Sequence, residues 1–208
     1  MKHIYLLILF TAFSWAAYAQ SYEGVEPEGP EETPELNKLL KAELGLHGIG
    51  LSYELPVSAK FLVDISGGLG AGYAVTKGSY YTDSFSSTWI FIDPVVYVKA
   101  GGRYLYNRSK RFEKLKSVRN NAGNFIGFQT KYTTQRAFNN NVFDQMAEPL
   151  NRTWLNEIHW GIQRDMSEKI LFNLHLGIGY AADLDFRNSI AYPAIGATFS
   201  YILHKKSI

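Results

Sequence analysis

ILFNLHLGIGYAA (Ile170–Ala182) alternates over its whole length. Ile170, Phe172, Leu174, Leu176, Ile178 and Tyr180 fall on one parity; Asn173, His175, Gly177 and Gly179 fall on the other. A β-strand sends successive side chains to opposite faces, so period two over this length predicts a strand with one apolar and one small or polar face. Soluble strands average about 5–6 residues, whereas a tilted strand crossing a bilayer needs about 9–11.

The same pattern recurs outward along the chain. Phe61, Val63, Ile65, Leu69, Ala71, Tyr73 and Val75 oppose Asp64, Ser66, Gly68, Gly70 and Gly72. Ile90, Ile92, Val96, Val98, Tyr104 and Tyr106 oppose Asp93, Lys99, Gly101 and Arg103. Ile126, Phe128 and Tyr132 oppose Gln129, Lys131 and Thr133; Trp154, Ile158, Trp160 and Ile162 oppose Glu157, His159 and Gln163. Ile195, Ala197, Phe199, Tyr201 and Leu203 oppose Gly196, Thr198 and Ser200. Between 38 and 55 the phase slips at His47-Gly48, by a tight turn or by a bulge. The turn predicts strands at 38–46, 48–55, 60–75, 89–107, 122–135, 151–165, 169–182 and 190–203. That makes eight, the even number expected of a bacterial single-chain barrel; the bulge would leave seven.

Apolar faces flanked by aromatics, opposite glycine-rich polar faces, predict an all-β, eight-stranded, antiparallel up-and-down transmembrane β-barrel. Trp89, Trp154, Trp160, Tyr104, Tyr106, Tyr132 and Tyr201 read as its interfacial girdles. Composition agrees: 15% aromatic, including 14 Tyr and 13 Phe, against 19% charged. A soluble barrel or sandwich would carry more surface charge and bury its apolar face. The short connections 56–59 and 165–168 read as periplasmic turns, the polar stretches 76–88 and 136–150 as outer loops. The chain would then have both ends and the basic connection 108–121 in the periplasm.

Residues 1–19 have a positive start at Lys2 and His3, an apolar stretch from Ile4 to Phe13, and Ala17-Tyr18-Ala19 before Gln20, the pattern of a cleaved signal peptide. Residues 20–37 read as a disordered linker, with Pro27, Pro30 and Pro34 among six glutamates and no base. It is a candidate handle for a periplasmic partner. The barrel is expected over 38–203, with a C-terminal tail at 204–208. No cysteine is present, which excludes disulfides, thiolate metal sites and a lipoprotein anchor. The net charge of +2 gives no footprint for nucleic acid. Six of the 19 acids and one of the 21 bases precede residue 37, so the remainder has 13 acids and 20 bases, a net +7. Much of that excess sits in Arg108, Lys110, Arg111, Lys114, Lys116 and Arg119, either solvated or in contact with anionic headgroups and lipopolysaccharide phosphates.

Signal peptide, alternating faces and a closing strand resemble the small eight-stranded outer-membrane barrels of Gram-negative bacteria, the OmpA-type or outer-membrane β-barrel domain superfamily. Gly196, Phe199 and Tyr201 are similar to the terminal signal such barrels show to their assembly machinery, although here Ile202–Ile208 follow the last aromatic. The resemblance implies location in the outer membrane among its lipid and lipopolysaccharide.

The predicted interior collects Lys41, Glu43, Glu54, Asp64, Asp93, Lys99, Arg103, Lys131 and Glu157, with His159 and His175. Five acids against four bases in a lumen just wide enough for side chains predict an internal salt-bridge network that fills the barrel. Catalysis would need a serine beside a base. Ser52, Ser66 and Ser200 share the interior with both histidines, but no adjacent His-Ser pair stands near the chain end as in lipid A deacylases. The expected function is therefore non-enzymatic: structural, adhesive, or accessory to an envelope or secretion system, with no cofactor and no metal. A narrow pore, a lipid-modifying enzyme and a soluble periplasmic barrel binder are the alternatives.

Overall fold

The computed structural model describes residues 33–76, 84–88, 94–137 and 151–207. The signal segment, most of the linker, Trp89, Ile90, Ile92, Asp93 and residues 138–150 lie outside them. Eight strands close into an antiparallel barrel: β1 (Asn37–Gly45), β2 (Gly48–Ser58), β3 (Phe61–Gly70), β6 (Val95–Leu105), β7 (Gly123–Arg136), β8 (Thr153–Asp165), β9 (Ile170–Asp183) and β10 (Ser189–Ser207). Around the wall the order is β1-β10-β9-β8-β7-β6-β3-β2, every strand paired with its sequence neighbours and β1 closing on β10. Between β3 and β6 a separate hairpin, β4 (Gly72–Thr76) with β5 (Ser84–Thr88), leaves the wall.

The phase slip at His47-Gly48 is a turn. Gly45 pairs with Gly48, and Gly48 takes φ +142°, a conformation that side chains with a Cβ rarely adopt. A Cβ there would also meet the Leu69 carbonyl oxygen at 2.3 Å. His47 ties the turn to the wall, with Nε2 2.7 Å from the Ile195 carbonyl oxygen.

The outward faces are apolar on all eight strands. Leu44, Leu51, Ile65, Val98, Phe128, Ile158, Ile178 and Phe199, one from each, are exposed. Tyr104, Tyr106, Trp160 and Tyr201 lie toward the end that carries the termini; Tyr132, Trp154 and Tyr180 lie toward the other end. The Trp160 indole donates to the Tyr106 hydroxyl at 2.7 Å. Ile170 to Tyr180 is ten steps along β9, about 33 Å at ~3.3 Å each and about 25 Å of height at the usual tilt, the thickness of a lipid-facing band.

Several expectations are corrected. Strand 60–75 stops at Gly70, where Ala71 donates its N–H to the His47 carbonyl at 3.1 Å. Ala71, Tyr73 and Val75 are therefore buried, not lipid-facing, and the stretch 76–88 contains β5 instead of running as a plain loop. Of strand 89–107, Val95–Leu105 is strand in the barrel wall, and residues 89–93 lie outside the described residues. The tail 204–208 is largely strand: β10 runs to Ser207, and Lys206 pairs with Lys38. At the other edge the linker's last residues are ordered, since Leu36 is buried and Asn37 opens β1.

Both mouths of the barrel are filled. At the terminal end Leu36, Leu62, Leu105 and Phe125 form one apolar cluster and Leu39, Leu171 and Ile202 another. The β6–β7 connection covers them. It is a short helix, α1 (Arg108–Glu113), followed by a 3-10 turn at Arg119–Asn121. At the loop end the β4–β5 hairpin folds inward, and Tyr73 and Val75 pack on Leu155, Ala181, Tyr192 and Ala194.

Candidate functional site

Inward parity aims the charged residues of neighbouring strands at one another, and the register decides which meet. Glu54 on β2 is fully buried, 2.9 Å from Lys41 Nζ of β1 and 2.9 Å from Arg103 Nη2 of β6. Arg103 also approaches Asp64 of β3 at 3.3 Å and donates to Gln163 Oε1 of β8 at 2.7 Å. Lys41 reaches Glu43 at 3.3 Å, Lys99 stands 3.9 Å from the same carboxylate, and Ser52 donates to it at 2.6 Å. Ionised groups in so dry a space must be paired, because a lone buried charge costs several kcal/mol. The predicted network of Lys41, Glu43, Glu54, Asp64, Lys99 and Arg103 is thus brought together; Asp93 lies outside the described residues.

Lys131 stands apart from that network. The register places it directly opposite Lys99 across β6 and β7. Lys131 turns to the loop end, donates to the Tyr73 hydroxyl at 3.1 Å, and lies 4.8 Å from the Tyr97 ring centroid, where the negative ring face substitutes for a carboxylate. The hairpin is therefore pinned to the wall by a buried lysine.

Glu157, His159 and His175 form a second cluster. Gln129 donates to Glu157 Oε2 at 2.6 Å and the Tyr192 hydroxyl donates to Oε1 at 2.5 Å. His175 Nε2 is 3.7 Å from Glu157 Oε2, and the two imidazole centroids are 4.4 Å apart. Glycines on adjacent strands make room for these rings. A Cβ at Gly196 would lie 2.2 Å from His175 Cε1, one at Gly127 2.7 Å from His159 Nε2, and one at Gly179 2.3 Å from Tyr192 Cζ. Between the two clusters lies a polar cavity of about 50 Å³.

The basic segment is only partly a surface. Arg108 and Arg111 are buried, and their guanidinium groups donate to the carbonyl oxygens of Val118 at 3.2 Å and Ser117 at 2.9 Å. Their guanidinium groups shape the cap, so of the six bases expected to be solvated or to meet headgroups, four remain exposed. Arg119 pairs with Asp165 at 3.1 Å and remains exposed. Lys110, Lys114 and Lys116 face solvent on the same end as Lys38, Lys169 and Lys206. Asn120 and Asn121, with φ of +51° and +61°, are fully buried beneath them. Asn121 exchanges two hydrogen bonds with the Asn37 backbone, both 2.8 Å, and donates to Glu54 Oε1 at 2.8 Å. Cap and charge network are thereby one structure.

Sequence reasoning missed Tyr73, Tyr97, Asn121 and Tyr192. Tyr192 and Tyr97 lie on the inward parity of their strands, a signal present in the sequence; Asn121 reaches the lumen from a connection, which has no parity, and Tyr73 from a hairpin whose alternation does not show that it folds inward. Gly196 serves as the seat of His175, while Phe199 and Tyr201 point outward. Among the described residues no serine hydroxyl is hydrogen-bonded to His159 or His175; the Ser52 hydroxyl is committed to Glu43.

No family model matches the chain, and no curated protein matches it. Among solved structures, the solid-state NMR structure of the outer membrane protein AlkL in DMPC lipid bilayers is similar, with 10% identity, 88% of this chain and 95% of that chain covered, and a TM-score of 0.35. At that level the likeness carries no weight of its own, and the architecture rests on the strand closure and faces described above.

Proposed function

We propose that this chain is a non-enzymatic outer-membrane protein whose barrel is a closed anchor and not a conduit. The observation that carries this reading is the pairing of an apolar band on all eight strands with a lumen filled by salt bridges and covered at both ends. An apolar exterior of this extent needs lipid around it, since patches beyond a few hundred Å² are rare on soluble monomers. An eight-stranded lumen is just wide enough for side chains or one small ligand, not for an aqueous channel.

With the barrel anchored, the working surfaces are its ends. The terminal end, with Lys110, Lys114, Lys116 and Arg119 exposed beside the aromatic residues Tyr104 and Tyr106, suits the phosphates of anionic headgroups. The loop end presents the longer connections for adhesion or for an accessory role beside another envelope component. The assembly machinery and a partner for the acidic N-terminal segment belong to the same reading.

Planar-bilayer recording of the refolded mature chain tests it. The expected record is a silent membrane after verified insertion. A steady ohmic conductance that scales with inserted protein would overturn the closed-anchor reading in favour of a pore.

A further inference from the structure

We infer that Glu157, His159 and His175 form a binding site for a divalent transition-metal ion inside the barrel, with Zn²⁺ as the best-suited ion. One donor atom from each lies within 4.8 Å of the others. Tetrahedral Zn²⁺ with ligands at about 2.1 Å holds them about 3.4 Å apart, so closure takes only a side-chain adjustment of about 1 Å. Two imidazoles and one carboxylate are a borderline-soft set that selects Zn²⁺ or its neighbours over Ca²⁺ or Mg²⁺, which want oxygen alone.

Three further observations point to a ligand here. His159 is only 5% exposed, yet its Nδ1 has no hydrogen-bond partner, a costly state for a buried ring nitrogen unless something occupies it. Glu157 is held in place by Gln129 and Tyr192, both donating to its carboxylate, as outer-shell partners hold a metal-ligating carboxylate. The cavity of about 50 Å³ is lined by both histidines and accommodates a fourth, non-protein ligand.

The charge around the site fixes what that fourth ligand is. Lys99 and Arg103 line the same cavity; Arg103 is occupied by Glu54 and Asp64, while Lys99 is 3.9 Å from its nearest carboxylate. Their field favours an anion, hydroxide or chloride, over neutral water, and an anion also offsets part of the ion's charge. The ion is enclosed on both sides by the mouths, so it is acquired as the barrel folds.

The test is a Co²⁺ titration of the untagged mature chain, refolded in detergent micelles with the ion present and read by visible absorption. Expected are intense d–d bands of tetrahedral cobalt saturating at one equivalent present during refolding, suppressed when Zn²⁺ competes in the refolding mixture, and absent from His159→Gln and His175→Gln variants that still shift on a heat-modifiability gel. Glu157→Gln removes the anionic ligand and should weaken binding by more than the about 10–100-fold that loss of an outer-shell partner costs. No cobalt spectrum in the folded wild-type chain would overturn the site, and so would a spectrum that survives either histidine substitution. Should a histidine variant fail to fold, the near-isosteric Glu157→Gln variant decides: unchanged affinity also overturns it.

Discussion

Glu54 shows how much a single buried carboxylate can carry. Lys41, Arg103 and Asn121 all converge on it from three different parts of the chain. Replacing it with glutamine leaves two buried cations short of a counter-charge, so Glu54→Gln should lower stability by about 3–5 kcal/mol; urea unfolding in micelles, followed by tryptophan fluorescence, measures this. A change below 1 kcal/mol would mean that the network is solvated. Gly196 offers a different test, because its role is the space it leaves for His175. Gly196→Ala should cost about 1–3 kcal/mol through overpacking. In a His175→Ala background most of that cost should vanish, and a double-mutant cycle reads the coupling directly. Additive effects would contradict the packing. At this scale the sequence was legible in kind and not in pairing: parity put Lys41, Glu43, Glu54, Asp64, Lys99 and Arg103 inside, but only the strand register brings Glu54 to Arg103 and leaves Lys131 among tyrosines.

At the scale of elements, straight strands were legible and departures from the wall were not. Ile170–Asp183 reads off its alternation, because the bilayer-length strand imposes period two from end to end. The β4–β5 hairpin keeps the same alternation, so Tyr73 and Val75 look lipid-facing although the chain has already turned inward at Ala71. Period two tells which residues share a face, not which way the face is turned. The 3-10 turn at Arg119–Asn121 was hidden for another reason: its two left-handed asparagines act through long-range hydrogen bonds, Asn121 to Asn37 and Glu54 and Asn120 to the Glu168 carbonyl and Lys205. Asn121→Ala should therefore loosen the terminal end, at about 1–3 kcal/mol, with faster amide exchange at Asn37; unchanged protection there would refute the cap. In the β9–β10 connection the Arg152 backbone N–H and then its guanidinium hold the Asp185 carboxyl below its ordinary range. A carboxylate depressed in this way contributes above its unfolded pKa of about 3.9 and loses the contribution as pH falls through the lower folded value. The Arg152 amide resonance should thus titrate only below the ordinary carboxylate midpoint; titration at that midpoint would remove the staple.

For the molecule as a whole, lipid exposure makes a prediction that no soluble barrel shares. Ile178 is 73% exposed, in the middle of the outward face of β9. Ile178→Arg should cost about 2–4 kcal/mol when the protein folds in lipid vesicles, and an arginine at Leu203, beyond the Tyr201 girdle, about 0–1. In a soluble protein both would be near neutral. The eight-strand count and the closed topology were legible because closure needs every strand to obey one pattern; the filling of both mouths was not, because it depends on connections.

The most direct measurement is the folding of the mature chain with and without a bilayer, followed by vesicle flotation after an alkaline wash and by gel mobility before and after boiling. A membrane barrel folds only with micelles or vesicles, floats with the lipid, and changes mobility on boiling. A chain that folds in plain buffer, remains at the bottom of the gradient and shows no heat-dependent shift would contradict the account at its centre.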